Sequence, residues 1–318
     1  MAALYLTEDD VRELMDMETS ISVVEEAFKQ YAEGNMQNVP RQRVAALGIF
    51  LHSMSASAEN LGLVGYKAYT TTKNSAVFHV HVYDIESGEL VAVIEADYLG
   101  QLRTGAASGV ATEYMARPDA KIVGLFGTGL QARTQLKAVC KVRRIERVEV
   151  YGRDEQRRNE FAEEMTEYCA VNVVPVHRPS QAAAEKDIVI TATTSKTPVF
   201  DGRDLDEGTH LNITGSNFWQ KAEIDETTIR RADIIVCDSI EQCQAEAGDF
   251  RAALEEGATD WRLMHELSEV VVGRQTGRAT VENITLFKSV GLAIEDIAMA
   301  AKIIERAKAE GFGQTLPY

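Results

Sequence analysis

The chain has 318 residues, of which 45% are hydrophobic and 26% are charged, and its formal net charge is −16. This length allows a sizeable core divided over two domains, and the composition is that of an ordinary globular protein. A surface this acidic repels nucleic acid and anionic membranes, so neither is predicted as a partner. An anionic substrate must therefore be bound by a local basic cluster.

The N-terminus shows no basic segment followed by a long apolar stretch, so no signal peptide and no membrane span are expected. The cysteines form no C-x-x-C pair; they are Cys140, Cys169, Cys237 and Cys243. We expect reduced thiols of a cytoplasmic protein rather than zinc ligands or disulfides. His79 and His81 share one face of a predicted strand, and without a third ligand they indicate packing rather than a metal site.

The first third of the chain predicts helices followed by an antiparallel sheet. Thr7-Glu8-Asp9-Asp10 is typical of a helix N-cap with an acidic first turn, and the amphipathic helix that it opens runs to Met17. A second helix is predicted at Ser22–Glu33 and an extended segment at Pro40–Gly48. Strands are predicted at Leu63–Thr70, Ala76–Tyr83 and Leu90–Ile94.

Residues 99–116 predict a helix with a face of small residues, which suits close packing. The break at Arg117-Pro118-Asp119 predicts a domain boundary. From residue 121 strands and helices alternate, which is typical of a parallel sheet. The predicted strands are 121–126, 146–151, 171–175, 187–192, 209–213 and 233–237. The predicted helices are 130–142, 154–169, 180–185, 239–247, 252–256 and a long final segment, Phe287–Ala309.

A glycine turn between a strand and a helix is the most informative motif. The predicted strand Ile122–Phe126 is followed by Gly127-Thr128-Gly129-Leu130-Gln131-Ala132. Gly127 permits the turn, Gly129 lets a pyrophosphate approach the backbone, and the helix N-terminus offers N–H groups to that anion. A second strand follows the helix, so the motif predicts a dinucleotide site rather than a bare structural turn.

The end of that second strand bears on the choice between NAD and NADP. NAD-selective sites often place an acidic residue there to bind the ribose 2′-OH. Here the chain has Gly152, Arg153 and Asp154. Arg153 is suited to a 2′-phosphate, which favours NADP, whereas Asp154 favours NAD if the strand runs longer than predicted.

Several motifs are spread over nearly the whole chain. They are Gly65-Tyr66-Lys67, Arg103-Thr104-Gly105-Ala106-Ala107, the run from Gly127 to Ala132, Thr191–Ser195, Gly215-Ser216-Asn217 with Glu223, and Phe287–Gly291 with Glu295-Asp296. Together they resemble the ornithine cyclodeaminase/mu-crystallin family. The resemblance implies a homodimer of two-domain α/β chains. Each would have a Rossmann dinucleotide-binding domain, 119–289, and a discontinuous α+β domain for substrate binding and dimerisation, 1–118 with 290–318.

The resemblance also implies the chemistry, since members interconvert imines and amino acids with a bound nicotinamide. Taken alone, Lys67 indicates a solvated strand lysine. The family, however, has a lysine at the matching position beside the substrate carboxylate and the reacting nitrogen, where it is suited to protonate an imine. Arg41, Arg43 and Arg103 are the candidate carboxylate clamp, because the guanidinium fork matches a carboxylate. Each alone would indicate a surface ion pair, and the choice between Arg41 and Arg43 stays open.

The resemblance further implies residues around the cofactor, NAD(P)H. Thr104 is expected at the pyrophosphate. Thr193, Ser195, Ser289 and Gly291 are expected to line the nicotinamide pocket.

Asn217 is where the chain departs from the members that deaminate and cyclise ornithine, which carry an aspartate there. Asparagine orients groups by hydrogen bonds but cannot act as a general base. The sequence therefore favours NAD(P)H-dependent reduction of a small 2-imino acid, reversible as amino-acid dehydrogenation, over an ornithine- or lysine-type cyclodeaminase with recycled NAD. Asn217 is also suited to capping a turn.

The substrate side chain and a non-enzymatic alternative remain open. His52 and Lys73, near the three arginines, point to a dicarboxylic imine such as iminosuccinate, and cyclic ketimines are the other class. A binding protein like the crystallin members is a third interpretation. The presence of Lys67 and Arg103 counts against it.

Overall fold

The computed structural model describes residues 2–317. It divides the chain into two compact units, Met1–Arg103 with Gly291–Tyr318 and Thr104–Val290. The sequence placed the divisions after residue 118 and before residue 290, and those domain limits stay a prediction.

The first segment of the chain forms two helices, a meander of strands and a longer helix. In chain order they are β1 (Leu4–Leu6), α1 (Glu8–Leu14), α2 (Met17–Ala32), β2 (Met36–Ala46), β3 (Ile49–Ala58), β4 (Leu63–Thr71), β5 (Ala76–Asp84), β6 (Leu90–Glu95) and α3 (Asp97–Met115). The Thr7 capping box opens α1 as predicted. The helix ends before Met17, because Asp16 caps a new helix there by accepting the Thr19 N–H.

The middle segment alternates strands and helices. Its elements are β7 (Ile122–Phe126), α4 (Leu130–Val142), β8 (Arg147–Tyr151), α5 (Glu155–Cys169), β9 (Asn172–Pro175), α6 (Pro179–Ala183), β10 (Ile188–Thr191), β11 (His210–Ile213), α7 (Glu226–Arg231), β12 (Ile234–Cys237), α8 (Ile240–Glu246), α9 (Arg251–Glu255), β13 (His265–Glu266), α10 (Leu267–Val271) and β14 (Thr285–Lys288). Every strand predicted between residues 121 and 237 is present.

The chain closes with α11 (Ala293–Glu310) and β15 (Gln314–Thr315). The prediction of one helical segment over Phe287–Ala309 is wrong at its start, because Phe287 belongs to the buried strand β14. A turn containing Gly291 separates that strand from α11, and Gly291 has a positive φ of 83° that few other residues adopt.

The first unit is built on a mixed sheet with the strand order β15-β1-β6-β5-β4-β3-β2. Antiparallel pairing joins β2 through β6, and β1 runs parallel to β6. Helix α11 packs on β2, β3, β4 and β5 and against α2. The face of the sheet under α11 is therefore buried, and it is the face that carries Lys67 and Tyr69.

The hairpin of β2 and β3 was predicted only as an extended segment at Pro40–Gly48. The two strands pair from Met36 opposite Ala58 to Ala46 opposite Ile49, with an irregularity between Val39 and Gln42. Serine and alanine alternate over Ser55–Ala58 of β3, which weakens the apolar alternation by which strands are recognised.

The second unit is a parallel sheet with the order β13-β12-β14-β11-β10-β7-β8-β9. The first five strands of this unit, β7 to β11, follow the 3-2-1-4-5 order of the Rossmann fold, and the order reverses between β7 and β10. Apolar clusters cover the sheet, one including Leu125, Leu136 and Phe161 and another including Leu211 and Phe250. The predicted fold class is confirmed.

No helix within residues 2–317 is long and apolar enough to cross a membrane. In the same range, no group of three His, Cys, Asp or Glu side chains is placed to hold a metal ion. The cytoplasmic location stays a prediction.

Candidate functional site

The glycine turn follows β7 directly and opens α4. Gly127 has a φ of 114°, and a Cβ there would lie 2.3 Å from the Ala192 carbonyl oxygen, so only glycine fits. Gly129 is the N-cap of α4 and makes no side-chain cap bond. A Cβ at Gly129 would meet no atom within 4 Å. The turn thus combines an open approach with a helix N-terminus, which fits a dinucleotide pyrophosphate.

Arg133 braces this turn, a role that the sequence did not reveal. Its Nη1 donates to the carbonyl oxygens of Thr128 and Gly129, at 3.1 and 3.2 Å. Its Nε donates to Glu164 Oε1 at 2.8 Å. Because Arg133 lies on α4 and Glu164 lies on α5, the ion pair also ties these two helices together. The sequence around Arg133 does not indicate this pairing, because Glu164 follows only after the next strand, β8.

The small-residue face of α3 serves close packing within the second unit. A Cβ at Gly105 would lie 2.5 Å from the Thr134 carbonyl oxygen on α4. Gln135 Nε2 donates to the Thr104 carbonyl oxygen at 3.0 Å. Thr104 is therefore held at the start of α4 by its backbone, and its predicted contact with a pyrophosphate stays a prediction.

The end of β8 is followed at once by α5. Asp154 is the N-cap of α5, and its Oδ1 accepts the Arg157 N–H at 2.9 Å. Arg153 and Arg157 are exposed. Arg157 also lines a pocket of about 250 Å³ together with the glycine turn; the other lining residues are Thr128, Gly129, Leu130, Arg133 and Glu160. Two exposed arginines therefore lie near this strand end, and Asp154 has a structural role as a helix cap.

Glu223 joins the ends of β10 and β11. Its carboxylate accepts hydrogen bonds from the Thr191 hydroxyl (2.8 Å), the Thr193 N–H and hydroxyl (both 2.7 Å) and the Gly215 N–H (2.7 Å). A Cβ at Gly215 would lie 2.4 Å from the Thr193 nitrogen. Thr193 in turn accepts the Ser195 N–H on its hydroxyl, at 3.1 Å. The predicted pocket residues Thr193 and Ser195 are thus positioned by a buried carboxylate that was not among the predicted site residues.

Lys288 and Asp249 extend this buried network. Lys288 Nζ lies 2.7 Å from Asp249 Oδ2 and donates to the Ser216 carbonyl oxygen at 2.8 Å. Burial alone would lower the pKa of Lys288, but the charges of Asp249 and Glu223 outweigh it and raise that pKa. Burial and the charge of Asp249 raise the pKa of Glu223. The buried pair of Lys288 and Asp249 therefore fixes the position of the Ser216 backbone through the hydrogen bond from Lys288.

Two further predicted residues of the second unit lie near these strand ends. The Ser289 hydroxyl donates to Asp238 Oδ2 at 3.0 Å and is buried. Asn217 follows β11 and is half-buried. Their roles toward a nicotinamide or a substrate stay predictions.

Lys67 is the centre of a charged cluster in the first unit. Its side chain is 3% exposed, and Nζ lies 2.9 Å from Asp296 Oδ1 on α11. Nζ is also 5.4 Å from the centre of the Phe78 ring. Burial lowers the pKa of Lys67, and Asp296 offsets this only in part. A Cβ at Gly100 would lie 2.7 Å from Nζ, so glycine leaves the space that the ammonium occupies.

Arg103 shares the same carboxylate. Its Nε lies 3.2 Å from Asp296 Oδ1, and its Nη1 lies 3.0 Å from Glu295 Oε2. Burial opposes the charge of Arg103, but the two carboxylates outweigh burial and raise its pKa. Asp296 thus anchors both cations.

Arg41 and Arg103 meet at Gly291. Arg41 Nη2 donates to the Gly291 carbonyl oxygen at 3.2 Å. A Cβ at Gly291 would lie 2.3 Å from Arg103 Nη1. The structure therefore places Gly291, predicted to line the nicotinamide pocket, in the first unit between two of the candidate clamp arginines.

Arg43 lies on β2 of the same sheet, and Lys73 lies in the turn that follows β4. Arg43 is half-buried and pairs across the hairpin with His52. The ring of His52 stacks on Tyr69, with centroids 4.2 Å apart. Burial, followed by the charges of Arg43 and Arg41, lowers the pKa of His52 to about 4. Lys73 is exposed between β4 and β5, so it does not join the cluster.

Comparisons with known proteins identify the family of this chain. The model of the ornithine cyclodeaminase/mu-crystallin family matches residues 1–311. The chain belongs to this family.

Curated relatives match almost from end to end. A Delta(1)-pyrroline-2-carboxylate reductase of Bacillus cereus is 33% identical over 99% of this chain and 100% of the relative. An alanine dehydrogenase of Archaeoglobus fulgidus is 32% identical over 100% and 99%. An iminosuccinate reductase of Paracoccus denitrificans is 29% identical over 98% of each. These relatives are oxidoreductases by name, and the predicted enzyme class, an oxidoreductase, is confirmed.

Solved structures of related proteins have the same fold as this chain. The Delta(1)-pyrroline-2-carboxylate reductase of Thermococcus litoralis, in complex with NADH and L-proline, is 35% identical and has a TM-score of 0.94 over 98% of this chain and 100% of that one. An archaeal alanine dehydrogenase dimer with bound NAD is 31% identical and has a TM-score of 0.94 over the whole of both chains.

Proposed function

We propose that this chain is an NAD(P)H-dependent reductase of small 2-imino acids, which also works in reverse as an amino-acid dehydrogenase. The observation that carries the proposal is the buried cluster of Lys67, Arg103 and Asp296, a proton donor beside a carboxylate-binding cation. The names of the relatives support it. Pyrroline-2-carboxylate and iminosuccinate are imines, and alanine is an amino acid.

The chain's own residues supply binding and the proton. Arg41 and Arg103, which flank Gly291, bind the carboxylate of the imino acid. When bound, the reduced nicotinamide supplies the hydride that adds to the imine carbon. Lys67 Nζ gives its proton to the imine nitrogen, and Asp296 holds Nζ in place. The lowered pKa of Lys67 favours this transfer, because a general acid works best near the operating pH.

Asn217 favours a reductase over a cyclodeaminase. A cyclodeaminase needs a base for the substrate amine, and the amide of Asn217 cannot accept a proton at neutral pH. The imine reductase needs no such base, because its only proton comes from Lys67.

The expected substrate test is the oxidation of NADH or NADPH, followed at 340 nm, with 2-oxo acids plus ammonium and with preformed cyclic imines. We expect turnover with one imine class. Lys67→Ala should lower kcat at least about 100-fold, the usual contribution of a general acid, while leaving dinucleotide affinity unchanged. Lys308→Ala, an exposed lysine of α11, is the matched control. Ammonia release from ornithine with NAD, and no imine reduction, would contradict the proposal.

For the cofactor, we propose that the arginines after the end of β8 accept the 2′-phosphate of NADP(H). Arg153 and Arg157 are the exposed cations there, and Asp154 is used as a helix cap. Arg153→Ala should raise the Kd for NADPH and leave that for NADH unchanged, measured by calorimetry with Arg144→Ala, another exposed arginine, as control. An equal loss for both dinucleotides would contradict the 2′-phosphate assignment.

We also propose a homodimer. The end of the β2–β3 hairpin exposes apolar side chains that a partner would cover; they are Val44, Leu47, Phe50 and Leu51. The archaeal alanine dehydrogenase is a dimer. Light scattering after size-exclusion chromatography should give twice the chain mass of 35.1 kDa, and a monomer at micromolar concentration would contradict the proposal.

A further inference from the structure

His52 is a buried polar side chain that the proposed chemistry leaves without a role. It is 1% exposed, and its Nε2 lies 2.9 Å from the Thr71 hydroxyl oxygen. Its Nδ1 is buried and has no hydrogen-bond partner among the described residues. A buried polar atom without a partner is costly, so an atom of this kind calls for a ligand or another reason to be there.

The strand register places His52 beside the residues proposed to hold the imino acid. His52 lies opposite Arg43 on one side and opposite Tyr69 on the other. Lys67 and Tyr69 are two residues apart on β4, and side chains two apart point to the same face of a sheet. His52 on β3 is therefore the direct neighbour of Arg43 on β2 and the diagonal neighbour of Lys67 on β4. It lies on the face of the sheet that α11 covers.

The imidazole is suited to donate a hydrogen bond there. With its pKa at about 4 the ring is neutral at pH 7, so one nitrogen donates and the other accepts. When the Thr71 hydroxyl donates to Nε2, the proton lies on Nδ1. An N–H donor next to the cation of Arg43 favours an oxygen-rich anion over an apolar group.

We propose that His52 and Arg43 form a subsite for a second carboxylate, carried by the side chain of the imino acid. The substrate is then a dicarboxylic 2-imino acid, and neither a simple aliphatic imine nor a cyclic pyrroline. This inference rests on the proposed function and deepens it, because Arg41 and Arg103 already take the first carboxylate.

The test compares substrates that differ at the subsite only. Oxaloacetate and 2-oxobutyrate have four carbons each, and with ammonium they form imines with and without the second carboxylate. Wild-type enzyme should prefer oxaloacetate in kcat/KM by roughly tenfold or more, and should also prefer it over preformed Delta(1)-pyrroline-2-carboxylate. His52→Phe keeps an aromatic ring on Tyr69 and should lose roughly 10- to 100-fold for oxaloacetate, the usual effect of a lost bond to a charged group. Its activity with 2-oxobutyrate should change little.

A matched control and a second readout separate the subsite from general damage. His81 on β5 stacks on Tyr66 with centroids 4.8 Å apart, on the opposite face of the same sheet, so His81→Phe should leave the substrate preference unchanged. Calorimetry with L-aspartate and L-2-aminobutyrate reads binding without turnover, and His52→Phe should weaken only L-aspartate. If His52→Phe does not fold, Thr71→Val removes the hydroxyl partner and should reduce the same preference.

The outcomes distinguish this inference from the proposed function. Equal losses for both four-carbon substrates, or a wild-type preference for 2-oxobutyrate or the pyrroline, would overturn the subsite and leave the reductase intact. Absence of turnover with every imine would overturn the reductase. In that case, L-aspartate binding that depends on His52 would still support the subsite, and binding that does not would overturn it.

Discussion

Replacing Asp296 with asparagine should destabilise the first unit strongly, because two buried cations share this carboxylate. Oδ1 lies 2.9 Å from Lys67 Nζ and 3.2 Å from Arg103 Nε, and Asp296 itself has no exposed surface. At an effective dielectric constant of about 20, each contact is worth about 5 kcal/mol of Coulomb energy. The amide oxygen of asparagine still accepts one hydrogen bond, so we expect a net loss of about 3–5 kcal/mol in the free energy of unfolding, as when other buried pairs lose one partner.

Lys67→Met is the matched comparison for this prediction. It removes one cation and leaves Asp296 paired with Arg103, so no buried charge is stranded. We expect it to cost about 2 kcal/mol less than Asp296→Asn, because a stranded charge is the main penalty.

Urea unfolding followed by far-UV circular dichroism measures both losses, provided that the slope m is unchanged. Both tryptophans, Trp219 and Trp261, lie in the second unit. The loss in the free energy of unfolding measured by tryptophan fluorescence should therefore be smaller than the loss measured by circular dichroism. A loss below about 1 kcal/mol for Asp296→Asn, or equal losses for the two variants, would refute the reasoning that Asp296 neutralises two buried cations.

Three further predictions concern other buried groups. Gly291→Ala should raise the KM for the imine more than Gly34→Ala does, in steady-state kinetics, because both have a positive φ but only the Gly291 Cβ would strike Arg103. Glu223→Gln should lower stability by about 2–3 kcal/mol and weaken dinucleotide binding, both read from thermal melts with and without NADH, because an amide cannot accept all four hydrogen bonds; an unchanged melting temperature would contradict this. Burial and Arg278 lower the pKa of His210 from 6.5 to about 3, so the folded state binds fewer protons, and stability present above pH 6.5 is lost as the pH falls toward 3. Urea titrations at pH 6.5 and at pH 5 measure this loss. Between these two pH values the free energy of unfolding of His210→Gln should fall by about 2 kcal/mol less than that of the wild type, at about 1.4 kcal/mol per pH unit.

The second unit was largely predictable because its signals are local. Parallel strands buried on both faces read as short apolar runs, and the turn at Gly127 follows one of them directly. The bracing of that turn was not predictable, since Arg133 and Glu164 are 31 residues apart and each alone suits a solvated helix.

The charged cluster of the first unit was predictable only through the family resemblance. Asp296 follows Lys67 by 229 residues and Arg103 by 193. No periodicity connects such distant positions, and a lysine in a strand is exposed in most proteins. In the structure Lys67 is buried because it pairs with the carboxylate of Asp296 on α11.

The arginine clamp shows how a local irregularity decides a site. Asn38 Oδ1 accepts the Ala293 N–H at 2.8 Å, and Arg41 donates to the Gly291 carbonyl oxygen. Positions 38 and 41 would lie on opposite faces of a regular strand. Both reach the same short segment because the register of β2 shifts between Val39 and Gln42. Pro40 was the available signal, since proline within a strand is typical of a bulge or a sheet edge, and β2 is an edge strand. A sequence argument that places a bulge at Pro40 would have turned Arg41 and Arg43, which are two residues apart, to the same face of the sheet.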